Sequence, residues 1–118
     1  WETVQHPVNL IDPHFRSFIR TVLPNIRKKG LGLIAMKTNG MGYILKNGIA
    51  TIPECLRFAL SQDVDVVVSG VETVEQLEAN VAVVKTFRPM SKEEVRTLLE
   101  RTAKGPIGES VEIYKRSV

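Results

Sequence analysis

Apolar positions in this chain follow two rhythms, short unbroken runs and stripes at helical spacing. Leu31-Gly32-Leu33-Ile34-Ala35-Met36 and Val64-Asp65-Val66-Val67-Val68-Ser69 are runs of strand length. Consecutive valines in the second predict a strand buried on both faces of a parallel sheet. A third, weaker strand is predicted over Val4 to Leu10, broken at His6-Pro7, so pairing there is irregular or at a strand end.

Between the runs the period changes. Asp12-Pro13 predicts a helix start, with the acid as cap and proline in the first turn. Phe15, Phe18, Ile19, Val22 and Ile26 follow as one stripe, kinked or split by Pro24 and stopped by Gly30. Three capping boxes mark further helices: Thr51-x-x-Glu54, Thr73-x-x-Gln76 and Ser91-x-x-Glu94. Their predicted inward positions are Leu56, Ala59 and Leu60, then Val74, Leu77, Val81 and Val84, then Val95, Leu98 and Leu99. The tail after Thr102 is mixed, with Ile113 and Tyr114 available to dock.

The order is βα βα βα, an extra helix and a tail, which predicts an α/β fold with a parallel sheet. Three strands are too few to close a barrel, which takes about eight. The pattern fits either a small open unit or the last part of something larger. The start at Trp1, within what reads as a strand, favours a fragment.

Composition adds bounds. At 118 residues the chain is one domain at most, and 43% hydrophobic with 25% charged residues predicts an ordinary folded protein. A net charge of +3 is weakly basic, and its one cluster, Arg27-Lys28-Lys29, falls in the last turn of a predicted helix, where cations suit the dipole. No aromatic interleaving accompanies it, so no nucleic-acid partner is expected. Nothing approaches the roughly 18 apolar residues of a membrane span, and no secretory signal is present, so no membrane partner is expected either. The single cysteine, Cys55, fits a reducing, cytoplasmic setting and a packing role.

The candidate chemistry lies where the strands end. Met36 opens into Lys37-Thr38-Asn39-Gly40-Met41-Gly42, and Ser69 into Gly70, a few residues before a helix. Glycine-bearing loops after parallel strands present backbone amides to a phosphate. Lys37 can neutralise that phosphate or, with its pKa lowered by burial, form a Schiff base. Gln76 and Asn80, four apart, share a helical face. Gln5 and Asn9 lie near a strand end, where each can meet a ligand or satisfy local backbone, Asn9 as an Asx turn or cap. His6 and His14 have no metal-ligand partners at useful spacing, so they are expected to be structural and no metal is expected.

Trp1-Glu2-Thr3-Val4-Gln5-x-Pro7-Val8-Asn9-Leu10, GLGLIAMKTNG from Gly30 to Gly40, VVVSGVETVEQLEANVAVVKTF from Val66 to Phe87, and Pro89 through Thr102 together resemble the C-terminal part of aldo/keto reductases. The resemblance runs over the whole chain, 1–118. It implies the last three βα units of a (β/α)8 TIM barrel plus the C-terminal helix, from an oxidoreductase that moves a hydride between NADP or NAD and a small carbonyl or alcohol substrate. By resemblance, Gln5 meets the nicotinamide carboxamide and Met36 stands where members often place a tyrosine against the ring. Lys37 to Gly42, with Thr38, Asn39 and Gly40 among them, run along the pyrophosphate, Ser69, Gly70 and the start of the last barrel helix lie near the adenosine phosphate, and Asn80 reaches the adenine.

Two departures accompany it. Gly70 and Gln76 stand where many members that prefer the 2′-phosphorylated cofactor carry a lysine and an arginine, which weakens the case for strict NADP preference. The family's catalytic residues lie on early strands absent from this chain, so none is assigned here and the chain alone is expected to be inactive or nearly so. Two other readings stay open: a Schiff-base barrel lyase fragment using Lys37, and a non-catalytic α/β module that associates through exposed strand edges.

Overall fold

A computed structural model of the protein describes residues 1–116. Three parallel strands lie in the order β1 (Thr3–Pro7), β2 (Gly32–Met36), β3 (Val66–Val67). Gln5 is level with Ile34, Pro7 with Met36, and Ile34 with Val66. Helices α1 (Phe18–Thr21) and α2 (Leu23–Lys28) connect β1 to β2, and α3 (Tyr43–Lys46) and α4 (Ile52–Leu60) connect β2 to β3. Helices α5 (Val74–Lys85) and α6 (Lys92–Ala103) follow. Because the strands are parallel, all three release their loops at the same edge of the sheet.

Alternation along the strands divides the sheet into two unlike faces. Leu33 packs against Leu23 and Ile26 of α2, Ala35 against Val8 and Ala59, and His6 stacks on Phe18 with ring centroids 5.6 Å apart. The other face carries Gln5, Ile34, Met36, Val66 and Val68. Gln5 is exposed there, with Val66 and Val68 51% and 50% exposed. The expectation of a third strand buried on both faces, Val64 to Ser69, is therefore wrong. β3 has β2 on one side and helices on one face only, and its ladder is short. Asp65 helps set its start, since its carboxylate accepts the Leu33 amide at 2.7 Å and pairs with Arg27 at 2.7 Å.

The main core lies beyond the strand ends. Leu10, Ile11, Ile44, Ile49, Ala50, Cys55, Phe58 and Leu98 form it, drawn from the segments after β1 and β2 and from α4 and α6. Cys55 is fully buried and its thiol is pushed up to about 12 by desolvation, as a packing residue requires. The capping boxes at Thr51/Glu54 and Ser91/Glu94 are both formed. At α5 the Thr73 hydroxyl accepts the Gln76 amide, while Gln76 Oε1 accepts the amide of Glu72 at 2.8 Å.

Three further expectations are corrected. The strand from Val4 to Leu10 begins at Thr3 and stops at Pro7, because Asn9 Oδ1 takes the amides of Ile11 and Asp12 at 3.1 and 2.9 Å and turns the chain. Asp12-Pro13 opens only a 3-10 turn, Asp12–His14, and the Asp12 carboxylate reaches forward to accept the amides of Phe18 and Ile19 at the start of α1. Pro24 splits the helix as expected and opens α2. The stripe of α5 is not inward: Val74, Leu77, Val81 and Val84 are 66%, 50%, 41% and 53% exposed. Its helical period is real, but α5 meets α4 along another line.

Helix α4 is tied to the start of α6 by Arg57, which donates to Glu94 Oε1 and Oε2 at 2.8 and 3.1 Å. That pair, followed by the Ser91 amide, holds the Glu94 carboxyl down at about 2 against an ordinary 4.5. A carboxyl depressed by folding stabilises fully above pH 4.5 and loses that contribution as the pH falls toward 2. Arg57→Met is therefore expected to flatten the dependence of unfolding free energy on pH within that window. An acid limb as steep as in the unaltered chain would remove this assignment.

Candidate functional site

The loop after β2 is bent by a succession of left-handed residues. Lys37, Gly40, Met41 and Gly42 have φ of 52°, 56°, 59° and 81°. The Gly40 amide donates to the Lys37 carbonyl at 2.8 Å, Gly42 to Asn39 at 3.0 Å and Tyr43 to Gly40 at 3.1 Å. Thr38 is buried beneath this coil. Asn9 anchors its beginning, donating from Nδ2 to the Lys37 carbonyl at 3.1 Å. The loop after β3 is extended by comparison. Asn80 Nδ2 donates to Ser69 Oγ at 3.3 Å, and Gln76 fixes the Glu72 amide, so α5 holds both parts of that loop.

The two loops border one cleft of 480 Å³ beyond the C-terminal ends of the strands. Lys37, Thr38, Asn39, Gly70, Gln76 and Asn80 all line it. Ser69 joins them through its bond to Asn80. Gly40 belongs to the same loop but faces the core: a Cβ there would lie 3.2 Å from Ile11 Cδ1 and from Ile44 Cγ1. Met36 ends β2 just before the loop. Gln5 lies away from the cleft lining, exposed on the open face of the sheet.

Sequence reasoning missed Val71 and Glu72 as cleft residues, although their place between Gly70 and the Thr73 cap marked them as loop. Ile52, the first residue of α4, also lines the cleft and carries no sequence signal for it. Lys37 is the lining cation and Glu72 the lining anion. The Lys37 ammonium sits 5.6 Å from the centroid of the Tyr114 ring, and burial pushes the Tyr114 phenol well above its usual range. Among the described residues Asn39 Oδ1 is buried without a hydrogen-bond partner.

The histidines take structural positions. His6 is buried with Nδ1 2.8 Å from the Pro7 carbonyl, and His14 Nε2 lies 2.8 Å from the Thr102 hydroxyl. Desolvation by burial lowers the His14 pKa. Among the described residues no group of three or more His, Cys, Asp or Glu side chains could hold a metal ion, and no helix is long and apolar enough to cross a membrane.

No family model matches the chain, and no curated protein matches it. Solved structures do. The apo form of aldo-keto reductase AKR11C1 from Bacillus halodurans superposes with a TM-score of 0.65 at 19% identity, over 94% of this chain and 46% of that one. Its holo form gives 0.64 at 19% identity, over 93% and 45%. The chain has the fold of about half an aldo-keto reductase. The likeness takes in nearly all of the three-stranded unit described above.

Proposed function

We propose that this chain is the cofactor-holding portion of an NADP- or NAD-dependent oxidoreductase that reduces small carbonyls or oxidises alcohols. In this reading it supplies the last three βα units and the C-terminal helix of a (β/α)8 barrel in a cytoplasmic enzyme, and the catalytic residues come from outside it. One observation carries the proposal: the loops after β2 and β3 border the same cleft at the end of the sheet where α/β proteins bind ligands.

The residues present suit a dinucleotide. Asn80 and Gln76 bring amides, and Lys37 brings a cation. The cleft volume of 480 Å³ falls in the range of small-molecule sites, about 300–1,000 Å³. When bound, the cofactor supplies hydride chemistry, and this chain's part is to orient it and to offset phosphate charge. Lys37, Thr38 and Asn39 hold the pyrophosphate, Ser69, Gly70, Gln76 and Asn80 the adenosine end, and Gln5 and Met36 the nicotinamide on the open face of the sheet. Gly40 serves by letting the loop lie close on the core. Lys37 stacked on an aromatic ring is placed as a charged group, which favours this role over a Schiff-base lyase.

Calorimetric titration of the 118-residue chain with NADP+ and NAD+ tests the proposal. Saturable binding with a Kd near or below about 1 mM, some 4 kcal/mol, is expected for at least one of them. Absence of binding by both would end it. Cofactor choice gives a second outcome. A Cβ at Gly70 would meet nothing within 4 Å, so Gly70→Lys can be introduced without strain. It is expected to shift preference toward NADP+ by about tenfold through one charge-assisted contact to the 2′-phosphate. An unaltered NADP+/NAD+ ratio would show that Gly70 is remote from that phosphate.

A second reading is favoured by the open face: a chain with half-exposed Val66, Val68, Leu77 and Val84 associates with a second copy through its strand edge and α5. Sedimentation velocity is expected to show concentration-dependent association that Val66→Asp abolishes. A strictly monomeric, folded wild-type chain would remove this reading.

A further inference from the structure

We propose that Tyr114, in the C-terminal tail, is a positioning residue for the cleft, because it holds Lys37 from both of its ends. The inference rests on the reading of the cleft as a dinucleotide site and adds to it a residue far along the chain. At the backbone end, Asn9 Nδ2 donates both to the Lys37 carbonyl at 3.1 Å and to the Tyr114 hydroxyl at 3.2 Å. At the side-chain end, the Lys37 ammonium stands 5.6 Å from the centre of the Tyr114 ring. One tyrosine therefore touches the ammonium directly and the carbonyl through one amide.

Lys37 needs such a hold. Its φ of 52° is a conformation that L side chains other than Asn and Asp rarely adopt, and it begins the coil that borders the cleft. A lysine side chain also has the most rotamer freedom to lose when it is fixed beside a ligand. Fixing it beforehand removes part of that cost from binding.

Tyr114 is itself held. Its hydroxyl donates to Glu112 Oε1 at 2.9 Å, and Glu112 Oε1 lies 2.9 Å from the ammonium of buried Lys115. Lys115 in turn pairs with Asp12 at 2.8 Å and donates to the Phe15 carbonyl at 2.6 Å. The ring thus stands on a buried polar cluster, and the position of Lys37 is transmitted to the cleft from the tail. Asn9 supplies the rest of the frame by taking the amides of Ile11 and Asp12.

A double-mutant cycle between Tyr114 and Lys37, read as NADP+ affinity by calorimetry, tests the proposal. Tyr114→Leu is expected to weaken NADP+ about fivefold, the size of a cation–π contact together with a hydrogen bond. In a Lys37→Met chain the same exchange is expected to add clearly less, because its side-chain half has no ammonium left to act on. Tyr114→Phe, which keeps the ring, is expected to restore most of the affinity. Proton NMR supplies a readout independent of ligand: the Lys37 Hε signals lie upfield in the wild type and in Tyr114→Phe, and return to ordinary values in Tyr114→Leu.

Additive losses in the cycle, or Lys37 Hε signals without a ring-current shift in the wild type, would overturn the positioning role while leaving the cleft's assignment intact. A wild type that binds no NADP+ would remove the dinucleotide reading and the positioning role with it, even with the ring-current shift present. If Tyr114→Leu does not fold, Tyr114→Phe decides the matter. Loss of the hydroxyl bond to Asn9 is expected to weaken NADP+ about twofold with the shift retained, and an unchanged affinity would overturn the proposal.

Discussion

Lys115→Met is expected to destabilise the chain by about 3–5 kcal/mol, as breaking one partner of a buried ion cluster does. The Lys115 ammonium pairs with Asp12 Oδ1 at 2.8 Å and Glu112 Oε1 at 2.9 Å, and the side chains of all three are at most 1% exposed. It also donates to the carbonyl of Phe15 and stands 5.4 Å from the centre of the Phe18 ring. Methionine removes the cation between two buried carboxylates, one of which already has an oxygen without a partner among the described residues, Glu112 Oε2. Asp12 also accepts the Phe18 and Ile19 amides at the start of α1, so its displacement reaches the connection between β1 and β2. Urea unfolding followed by circular dichroism measures the loss. A fall of less than about 1 kcal/mol would show that water reaches the cluster freely and that the tail is not anchored there.

Gly40→Val is expected to cost about 2–4 kcal/mol, by left-handed strain and overpacking together. Gly40 is at φ 56°, and its missing Cβ faces Ile11 and Ile44 at 3.2 Å. Gly42, two residues on in the same loop, is at φ 81° with nothing within 4 Å. Gly42→Ala carries the conformational cost alone, about 1–2 kcal/mol. The pair separates two functions that a glycine-rich loop combines, seating on the core and exposing backbone to a ligand. Equal losses at the two positions, measured by thermal unfolding, would contradict the packing role given to Gly40.

Much of the local structure was legible because it is written in neighbouring residues. Thr51 with Glu54, Ser91 with Glu94 and Pro24 act within one turn of themselves, and β2 falls within one residue of the apolar run that predicts it. The failures share a different cause. The stripe of α5 states that the helix has an apolar side, and spacing does not say what lies against it. Asp12-Pro13 begins a 3-10 turn as readily as an α-helix, and the choice is made by Ser17 and by Lys115 far along the chain. Helix α3, four residues long and directly after the left-handed Gly42, is too short to show a period.

The candidate site divides in the same way. That two loops follow parallel strands was readable, and parallel order alone brings them to one edge of the sheet. Which residues face the cleft was not. Gly40 and Gly42 look alike in sequence, and only the approach of Ile11 and Ile44 separates them. The exposed position of Gln5 follows from strand parity, since His6 beside it faces Phe18. Tyr114 and Lys37 are distant in sequence, and no local pattern relates them.

In the proposed reading, the loops after Met36 and Ser69 hold one dinucleotide between them. Backbone amide shift mapping by ¹⁵N–¹H NMR during an NADP+ titration tests it most directly. Amides of Thr38 to Gly42 and of Gly70 to Glu72 are expected to move together along one saturation curve. Shifts confined to a single loop, or none in either, would contradict it.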